Sequence, residues 1–296
     1  MNNLLDIQNL SKRYNDFELQ NVTLSVPAGS VVGFIGANGA GKTTTIKAAL
    51  GLIRPDSGSI SLFGSDCAEA LSNAHAASTL ERIGVVFDTC AFPTEIDIAD
   101  VESMMRHSYR SWDRAKFEHL RDLFSLGPKK KVKELSRGMG MKLMLACALS
   151  HNADLLILDE ATAGLDPLAR DEVLDILHRF MVDENHSIFI SSHITSDLEK
   201  IADYIVCIDN GRIVFSVAKD SITDQAGVAH CRTDEFEQVA ASGFFQPGDM
   251  HFIKHAYGIS LLVPDRFAFA ESFKAIAVDR ASIDDYMGLV LKGGTR

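Results

Sequence analysis

Apolar runs of strand length alternate with turn residues in the first part of the chain. Residues 4–10 and 22–26 carry the pattern of strands, and residues 30–35 form a short apolar run typical of a strand buried on both faces. This third run leads directly into a glycine-rich loop, and a helical pattern follows over residues 42–50. The pattern therefore predicts a strand, a glycine loop and a helix in that order.

Helical periodicity dominates the middle of the chain. Residues 98–109 and 112–126 are amphipathic, and Gly127 with Pro128 ends the second stretch. Apolar runs at residues 155–158 and 187–191 each follow a helical stretch. This alternation predicts a parallel sheet with crossover helices.

The pattern loosens around residues 216–225 and then changes character. Short strand-like pieces at residues 228–232, 251–255 and 259–263 precede a helical pattern at residues 282–291. We therefore predict a large domain over residues 1–219 and a small α+β accessory domain over residues 220–296. A helical subdomain, about residues 89–150, is expected to be inserted into the large domain.

Composition narrows the classes of partner. The chain has 40 acidic residues against 29 Lys and Arg, a formal net charge of −11, so no nucleic acid partner is expected. Its five cysteines have neither disulfide-framework nor zinc-ligand spacing, which favours a reducing cytoplasm. No apolar run reaches the roughly 18–20 residues of a membrane span, and the amino terminus lacks the pattern of a signal peptide. Membrane association is therefore expected through a partner chain.

The glycine loop fits the Walker A pattern at every fixed position. Its glycines let main-chain N–H groups turn toward phosphate oxygens, and the following helix adds the positive end of its dipole. Lys42 supplies a charge to the β- and γ-phosphates, and the Thr43 hydroxyl can bind Mg²⁺. The pattern predicts ATP and Mg²⁺ as cofactors. The residues expected to contact the nucleotide are Gly36, Asn38, Gly39, Ala40, Gly41, Lys42, Thr43 and Thr44.

A second motif has the form of a Walker B strand. The apolar run at residues 155–158 ends in two carboxylates, Asp159 and Glu160. The first is predicted to hold Mg²⁺, directly or through water. The second is predicted to be the general base that polarises the attacking water.

Between these motifs, residues 135–139 read Leu-Ser-Arg-Gly-Met and begin an apolar helix. The segment resembles the Leu-Ser-Gly-Gly-Gln signature of the ABC ATPases, with Arg137 and Met139 replacing a Gly and a Gln. Ser136 is a good N-cap, and the free N–H groups of the helix start can bind an anion. The resemblance implies that Ser136 and Gly138 bind the γ-phosphate held by a second subunit. Arg137 either adds charge there or faces solvent.

Further resemblances follow in the family's order. Residues 163–166 look like the D-loop that crosses the dimer interface, and His193 matches the switch histidine that senses the γ-phosphate. Tyr14 matches the aromatic residue that stacks on adenine. The resemblance spans residues 4–219. It implies an α/β fold with a P-loop NTPase (RecA-like) core, an ABC-type antiparallel β subdomain and the inserted helical subdomain.

Two positions depart from the family pattern. Asp88 stands where a Gln normally follows the strand that enters the helical region, and Ala161 stands where a Pro normally follows the Walker B Glu. Asp88 can still reach Mg²⁺ or the lytic water, but it adds negative charge beside Asp159 and Glu160. With Phe87 and the Met-rich signature, Asp88 resembles a branch of ABC exporters that serve bacterial peptide and antimicrobial-peptide extrusion or resistance.

The resemblance implies the cytoplasmic ATPase subunit of an ABC transporter, peripheral to the inner face of the cell membrane. Its expected partners are an integral-membrane permease on a separate chain and a second ABC ATPase, in a homodimer or a heterodimer. Export of peptides, lipids or antibiotics is favoured. Two alternatives stay open: a soluble ABC ATPase that acts on a macromolecular complex, and a regulatory ABC protein with weak hydrolysis.

Overall fold

The structure is a computed structural model that describes residues 2–72 and 76–296. Strands and short helices alternate in the amino-terminal part, as the apolar runs predict. Its elements in chain order are β1 (Asn3–Arg13), β2 (Glu18–Pro27), β3 (Val31–Ile35), α1 (Lys42–Ala49), β4 (Ser57–Leu62), β5 (Ser65–Asp66), α2 (Cys67–Ala70), α3 (Ala76–Leu80) and β6 (Ile83–Val86).

Strands β1, β2, β4 and β5 form an antiparallel sheet in the order β2-β1-β4-β5. Strand β1 pairs with β2 on one side and with β4 on the other. Leu5 and Ile7 are fully buried and lie two residues apart, because alternate side chains of a strand point to the same face. This sheet is the antiparallel β subdomain that the family resemblance implies.

The middle of the chain is helical, with α4 (Ile98–Ser108), α5 (Arg114–Leu123), a short 3-10 turn (Val132–Glu134) and α6 (Arg137–Leu149). Asp97 and Asp113 begin α4 and α5 by accepting main-chain N–H groups with their carboxylates. Helix α6 is buried from Gly140 onward at almost every position, which explains why it is apolar on all sides.

The remaining elements of the first 219 residues complete a central sheet. They are β7 (Leu155–Asp159), α7 (Pro167–Phe180), β8 (Ser187–Ser192), α8 (Thr195–Ile201), β9 (Tyr204–Asp209) and β10 (Arg212–Ala218). The sheet has the order β10-β9-β3-β8-β7-β6, and neighbouring strands are parallel except for β10, which is antiparallel to β9. The carboxyl ends of the parallel strands therefore meet at one edge, where ligands bind in open α/β sheets.

Both faces of the central sheet are covered. Val31 and Ile35 of β3 belong to the hydrophobic cluster that includes α6 and α7, whereas Val32 and Phe34 belong to the cluster shared with the antiparallel sheet. A strand with apolar neighbours on both faces needs a continuous apolar sequence. The apolar runs at β3, β7 and β8 are explained by this burial.

After β10 the chain forms a single turn of π-helix (Ser221–Gln225) and a second antiparallel sheet of order β14-β11-β13-β12-β15. Its elements are β11 (Gly227–Cys231), α9 (Thr233–Ala241), β12 (His251–His255), β13 (Gly258–Val263), α10 (Arg266–Ser272), β14 (Ala277–Arg280), α11 (Ile283–Lys292) and β15 (Gly294–Thr295). The strands at β11, β12 and β13 and the last helix were predicted from the pattern. Helices α9 and α10 were not, because both are short.

The predicted α/β fold class is confirmed, with its parallel core, antiparallel subdomain, inserted helices and α+β appendage. The predicted domain limit between residues 219 and 220 falls between β10 and the π-helical turn. The division into two domains stays a prediction.

Candidate active site

The glycine loop joins β3 to α1 at the carboxyl edge of the central sheet. Gly41, at φ 118°, adopts a conformation that side chains rarely allow. At Gly36, a Cβ would lie against the carbonyl oxygen of Ile208 on β9. Lys42 is only 6% exposed, and its ammonium donates to the carbonyl oxygen of Gly36 at 2.7 Å. The loop is therefore closely packed around the Lys42 side chain.

Asp159, at the end of β7, is held by two hydroxyl groups. Thr43 Oγ1 donates to Asp159 Oδ2 at 2.7 Å, and Ser191 Oγ donates to Asp159 Oδ1 at 2.5 Å. Ser191 Oγ also accepts the main-chain N–H of Glu160 at 3.1 Å. Asp159 is 1% exposed, so these bonds offset the cost of burying a carboxylate.

Glu160 lies between two groups predicted to act on phosphate. Its Oε1 is 3.2 Å from Lys42 Nζ, and its Oε2 is 2.6 Å from Nδ1 of His193. The main chain of Glu160 has a φ of 55°, a left-handed conformation that is uncommon for residues with a side chain. Such strain is concentrated at functional sites, where the surrounding structure enforces it.

A cleft of about 520 Å³ opens beside these groups. Asp88 lines it together with Lys42, Thr43 and Glu160, so the departure from the family's Gln lies in the site itself. The remaining lining residues are Asp16, Phe17, Ala37, Asn38, Gly39, Gly41 and Thr44.

Tyr14 is not among the lining residues of this cleft. Tyr14 is 45% exposed, and its main-chain N–H donates to the carbonyl oxygen of Phe17 at 2.7 Å. The turn therefore presents Asp16 and Phe17 to the cleft and leaves Tyr14 outside the lining. The predicted stacking of Tyr14 on adenine stays a prediction.

Ser136 and Gly138 also lie outside the lining of this cleft. Ser136 is exposed and caps α6, with Oγ accepting the N–H of Met139 at 3.3 Å. A Cβ at Gly138 would come within 2.9 Å of the Leu165 side chain in the D-loop-like segment. Asp166 ends that segment and caps α7, and the Ala169 N–H that it accepts lowers the pKa of its carboxyl group.

The structure thus brings together five of the residues that the motifs single out, and their roles stay predictions: Lys42, Thr43, Asp159, Glu160 and His193. Sequence reasoning missed Ser191, whose hydroxyl binds the carboxylate of Asp159 and the main-chain N–H of Glu160. A signal for it existed, because residues 187–190 of the strand are mostly apolar and the polar pair Ser191-Ser192 directly precedes His193.

Ala40 is 4% exposed and is not one of the lining residues. Its N–H donates to the carbonyl oxygen of Ala37 at 3.1 Å, and its carbonyl accepts the N–H of Gly211 at 3.0 Å. A glycine loop before a helix, a buried lysine and a hydroxyl-bound carboxylate at the end of β7, two strands from β3 in the same sheet, define a P-loop nucleotide-binding protein.

Comparison with known proteins gives the particular family. Residues 19–163 match the family model described as ABC transporter. The bacitracin transport ATP-binding protein BcrA of Bacillus licheniformis is 32% identical over 75% of this chain and 72% of that protein. The lantibiotic transport ATP-binding protein SrtF of Streptococcus pyogenes is 35% identical over 73% of this chain and 92% of that protein.

A solved ATP-binding subunit of an ABC transporter superposes with a TM-score of 0.66 at 29% identity, covering 75% of this chain and 92% of that chain. The chain belongs to the ABC transporter family, as an ATP-binding subunit that hydrolyses ATP to power transport. Among the described residues, no helix combines the length and apolarity needed to span a membrane.

Proposed function

We propose that the chain is the cytoplasmic ATPase of an exporter of peptides, lipids or antibiotics, at the inner face of the membrane. It would act on an integral-membrane permease that is a separate chain. The similarity to subunits named for bacitracin and lantibiotic transport supports this substrate class. The observation that carries the proposal is the Glu160 carboxylate held between Lys42 and His193 beside the cleft.

In this proposal Glu160 is the general base. Its Oε1 pairs with Lys42 Nζ at 3.2 Å but accepts no hydrogen bond, so it keeps a lone pair that would accept the proton of an attacking water. The His193 ring, in contact with Oε2, orients the carboxylate. Lys42 is the closest cation to the carboxylate and would stabilise negative charge on the β- and γ-phosphates.

The residues around the cleft fit Mg²⁺. The Thr43 hydroxyl and the Asp159 and Asp88 carboxylates are hard oxygen donors, which this ion prefers. In the described part of the chain, no three His, Cys, Asp or Glu side chains cluster as a complete metal cage. Mg²⁺ is usually bound through one or two protein groups together with phosphates and water, so Thr43 and Asp159 with Asp88 nearby suffice. When bound, the ion would neutralise charge on the phosphates.

A second subunit would complete the site. Ser136 and Gly138 lie at an exposed helix start outside the cleft of their own chain, where a phosphate bound to another chain can meet free N–H groups. We propose a head-to-tail dimer, with either a second copy or a related ABC ATPase, that holds ATP between the Walker A loop of one chain and Ser136 of the other.

Replacing Glu160 by Gln tests the proposed base. The variant keeps the size and most contacts of the side chain but loses the charge that accepts a proton. We expect ATP hydrolysis to fall by at least about a hundredfold, the scale of general-base catalysis. ATP binding should be retained, and size-exclusion chromatography with ATP should show a trapped dimer. Hydrolysis at the parent rate would refute the assignment of Glu160.

Asp88 favours one alternative, a regulatory ABC protein with weak hydrolysis, because it adds a carboxylate to the cleft beside Glu160. The same assay separates the two functions. A transporter motor shows ATP turnover that a co-purified permease stimulates and Glu160→Gln abolishes. A regulatory protein shows ATP turnover near background both in the parent and in the Glu160→Gln variant.

A further inference from the structure

Helix α8 begins two residues after His193. The His193 ring contacts Glu160 Oε2 at 2.6 Å, so a shift of α8 would move this ring relative to Glu160. Leu198 and Ile201 fix α8 to the main core, being 0% and 6% exposed. Glu199 lies between them and is only partly buried.

The last helix of the chain, α11, meets α8 at Glu199. The main-chain N–H of Ile283 donates to Glu199 Oε1 at 2.8 Å. Ile283 itself is fully buried in the hydrophobic cluster that contains Leu198 and Ile201. Carboxylates are stabilising at a helix start, where main-chain N–H groups have no partner within the helix. Glu199 thus provides a specific contact between α8 and α11.

Helix α11 also packs against the carboxy-terminal sheet. Leu289 and Val290 pack with Val228 and Leu262 of that sheet. Tyr286 joins both regions, since it also makes an edge-to-face ring contact with Phe215 of β10 at 5.0 Å. A displacement of the sheet therefore moves α11 against α8.

We propose that Glu199 is a positioning residue for ATP hydrolysis, through which the carboxy-terminal sheet sets the position of the switch His193. The hydrogen bond from Ile283 holds α8, and α8 holds the His193 ring against Glu160. This inference rests on the role proposed above for His193. It assigns a regulatory function to residues 227–295, which the catalytic motifs leave without one.

Small displacements are enough for such an effect. A catalytic group misplaced by about 1 Å can lose on the order of a hundredfold in rate, even when the change lies far from the reacting atoms. Loss of the Glu199 contact should therefore lower kcat. It should leave ATP affinity nearly intact, because neither Glu199 nor α11 contributes to the lining of the cleft.

The test compares Glu199→Ala, which removes the acceptor, with Glu199→Gln, which keeps a carbonyl oxygen at the same place. Glu237→Ala is the matched control, because it removes a surface carboxylate that binds Arg296 within the carboxy-terminal region. For the full-length chain we expect Glu199→Ala to lower kcat roughly tenfold with KM unchanged within about twofold. Glu199→Gln should recover most of the rate, and Glu237→Ala should match the parent.

A double-mutant cycle separates positioning from general stabilisation. If Glu199 acts through His193, Glu199→Ala has no further effect on the residual rate of His193→Ala; independent effects would multiply. Parent-like kcat in Glu199→Ala, or multiplying effects in the double variant, overturns this inference alone. Parent-like kcat in His193→Ala overturns the proposed role of His193 and this inference with it.

Discussion

Two carboxylates are buried in the described part of the chain, Asp159 and Asp197, and their surroundings differ. Asp159 accepts hydrogen bonds from two hydroxyl groups. Asp197, on α8, has an Oδ2 without a hydrogen-bond partner, and its closest cation is Arg170 Nε on α7 at 3.7 Å. At the residue scale, a partly satisfied ion pair thus links the helix after the D-loop-like segment to the helix after His193.

The two members of this pair should respond unequally to substitution. Arg170→Ala removes the closest counter-charge of the Asp197 carboxylate, which is 2% exposed, and breaking such a buried pair costs about 3–5 kcal/mol of unfolding free energy. Asp197→Asn leaves Arg170, which is 25% exposed and partly hydrated, so the loss should be smaller. Asp171→Asn is the control. It breaks an exposed pair with Lys200 between the same helices, worth about 0–1 kcal/mol.

Urea unfolding monitored by circular dichroism measures these differences. Equal losses for Arg170→Ala and Asp171→Asn would contradict the importance of burial for the Arg170–Asp197 pair.

At the scale of the element, the phosphate loop was predictable because the residues that form it are consecutive in the sequence. Its tight packing was not. The sequence shows that Gly36 is part of the motif, but only the fold brings the carbonyl oxygen of Ile208 to the place where a Cβ would lie. Helices α9 and α10 were not predicted, because their nine and seven residues give too few turns for a clear helical period.

Gly36→Ala should therefore weaken nucleotide binding. The main chain of β9 or of the loop has to shift, and the loop N–H groups lose their convergence. We expect ATP affinity to fall by at least about tenfold, equivalent to about 1.4 kcal/mol. Gly127→Ala is the control, because no atom lies within 4 Å of its added Cβ and its φ is not in the left-handed range. Isothermal titration calorimetry with ATP gives both affinities, and equal values would show that the close approach at Gly36 is unimportant.

At the scale of the whole molecule, one chain holds two half-sites that do not meet. The Walker A cleft and the exposed start of α6 are separate surfaces of the same chain, so the proposed composite site would need two chains. The sequence predicted this arrangement only through a family resemblance. The geometry adds a physical reason, which is that Ser136 is outside the lining of the cleft of its own chain.

Ser136→Ala tests the shared site. It should lower ATP turnover by about tenfold or more while the affinity of a single chain for ATP stays close to that of the parent, because the lost contact belongs to the partner's nucleotide. Asp113→Ala is the control: it also removes a helix cap, that of α5, with a comparable cost of about 0.5–2 kcal/mol. Equal turnover in the two variants would mean that Ser136 only caps its helix.

The sequence by itself predicted the candidate reacting groups, because Walker A, Walker B and the helix start at Ser136 are each formed by consecutive residues whose chemistry follows from their order. It also determined the fold class, since apolar runs and helical periods alternate along the chain.

Only the tertiary structure decided how these groups meet. Ser191 reaches Asp159 across 32 residues of chain, His193 reaches Glu160 across 33, and Ile283 reaches Glu199 across 84. Contacts between such distant residues depend on the pairing of strands and the packing of helices, so a local sequence pattern does not predict them. The proposed role of the carboxy-terminal sheet depends on one such contact, the hydrogen bond between α11 and Glu199 of α8.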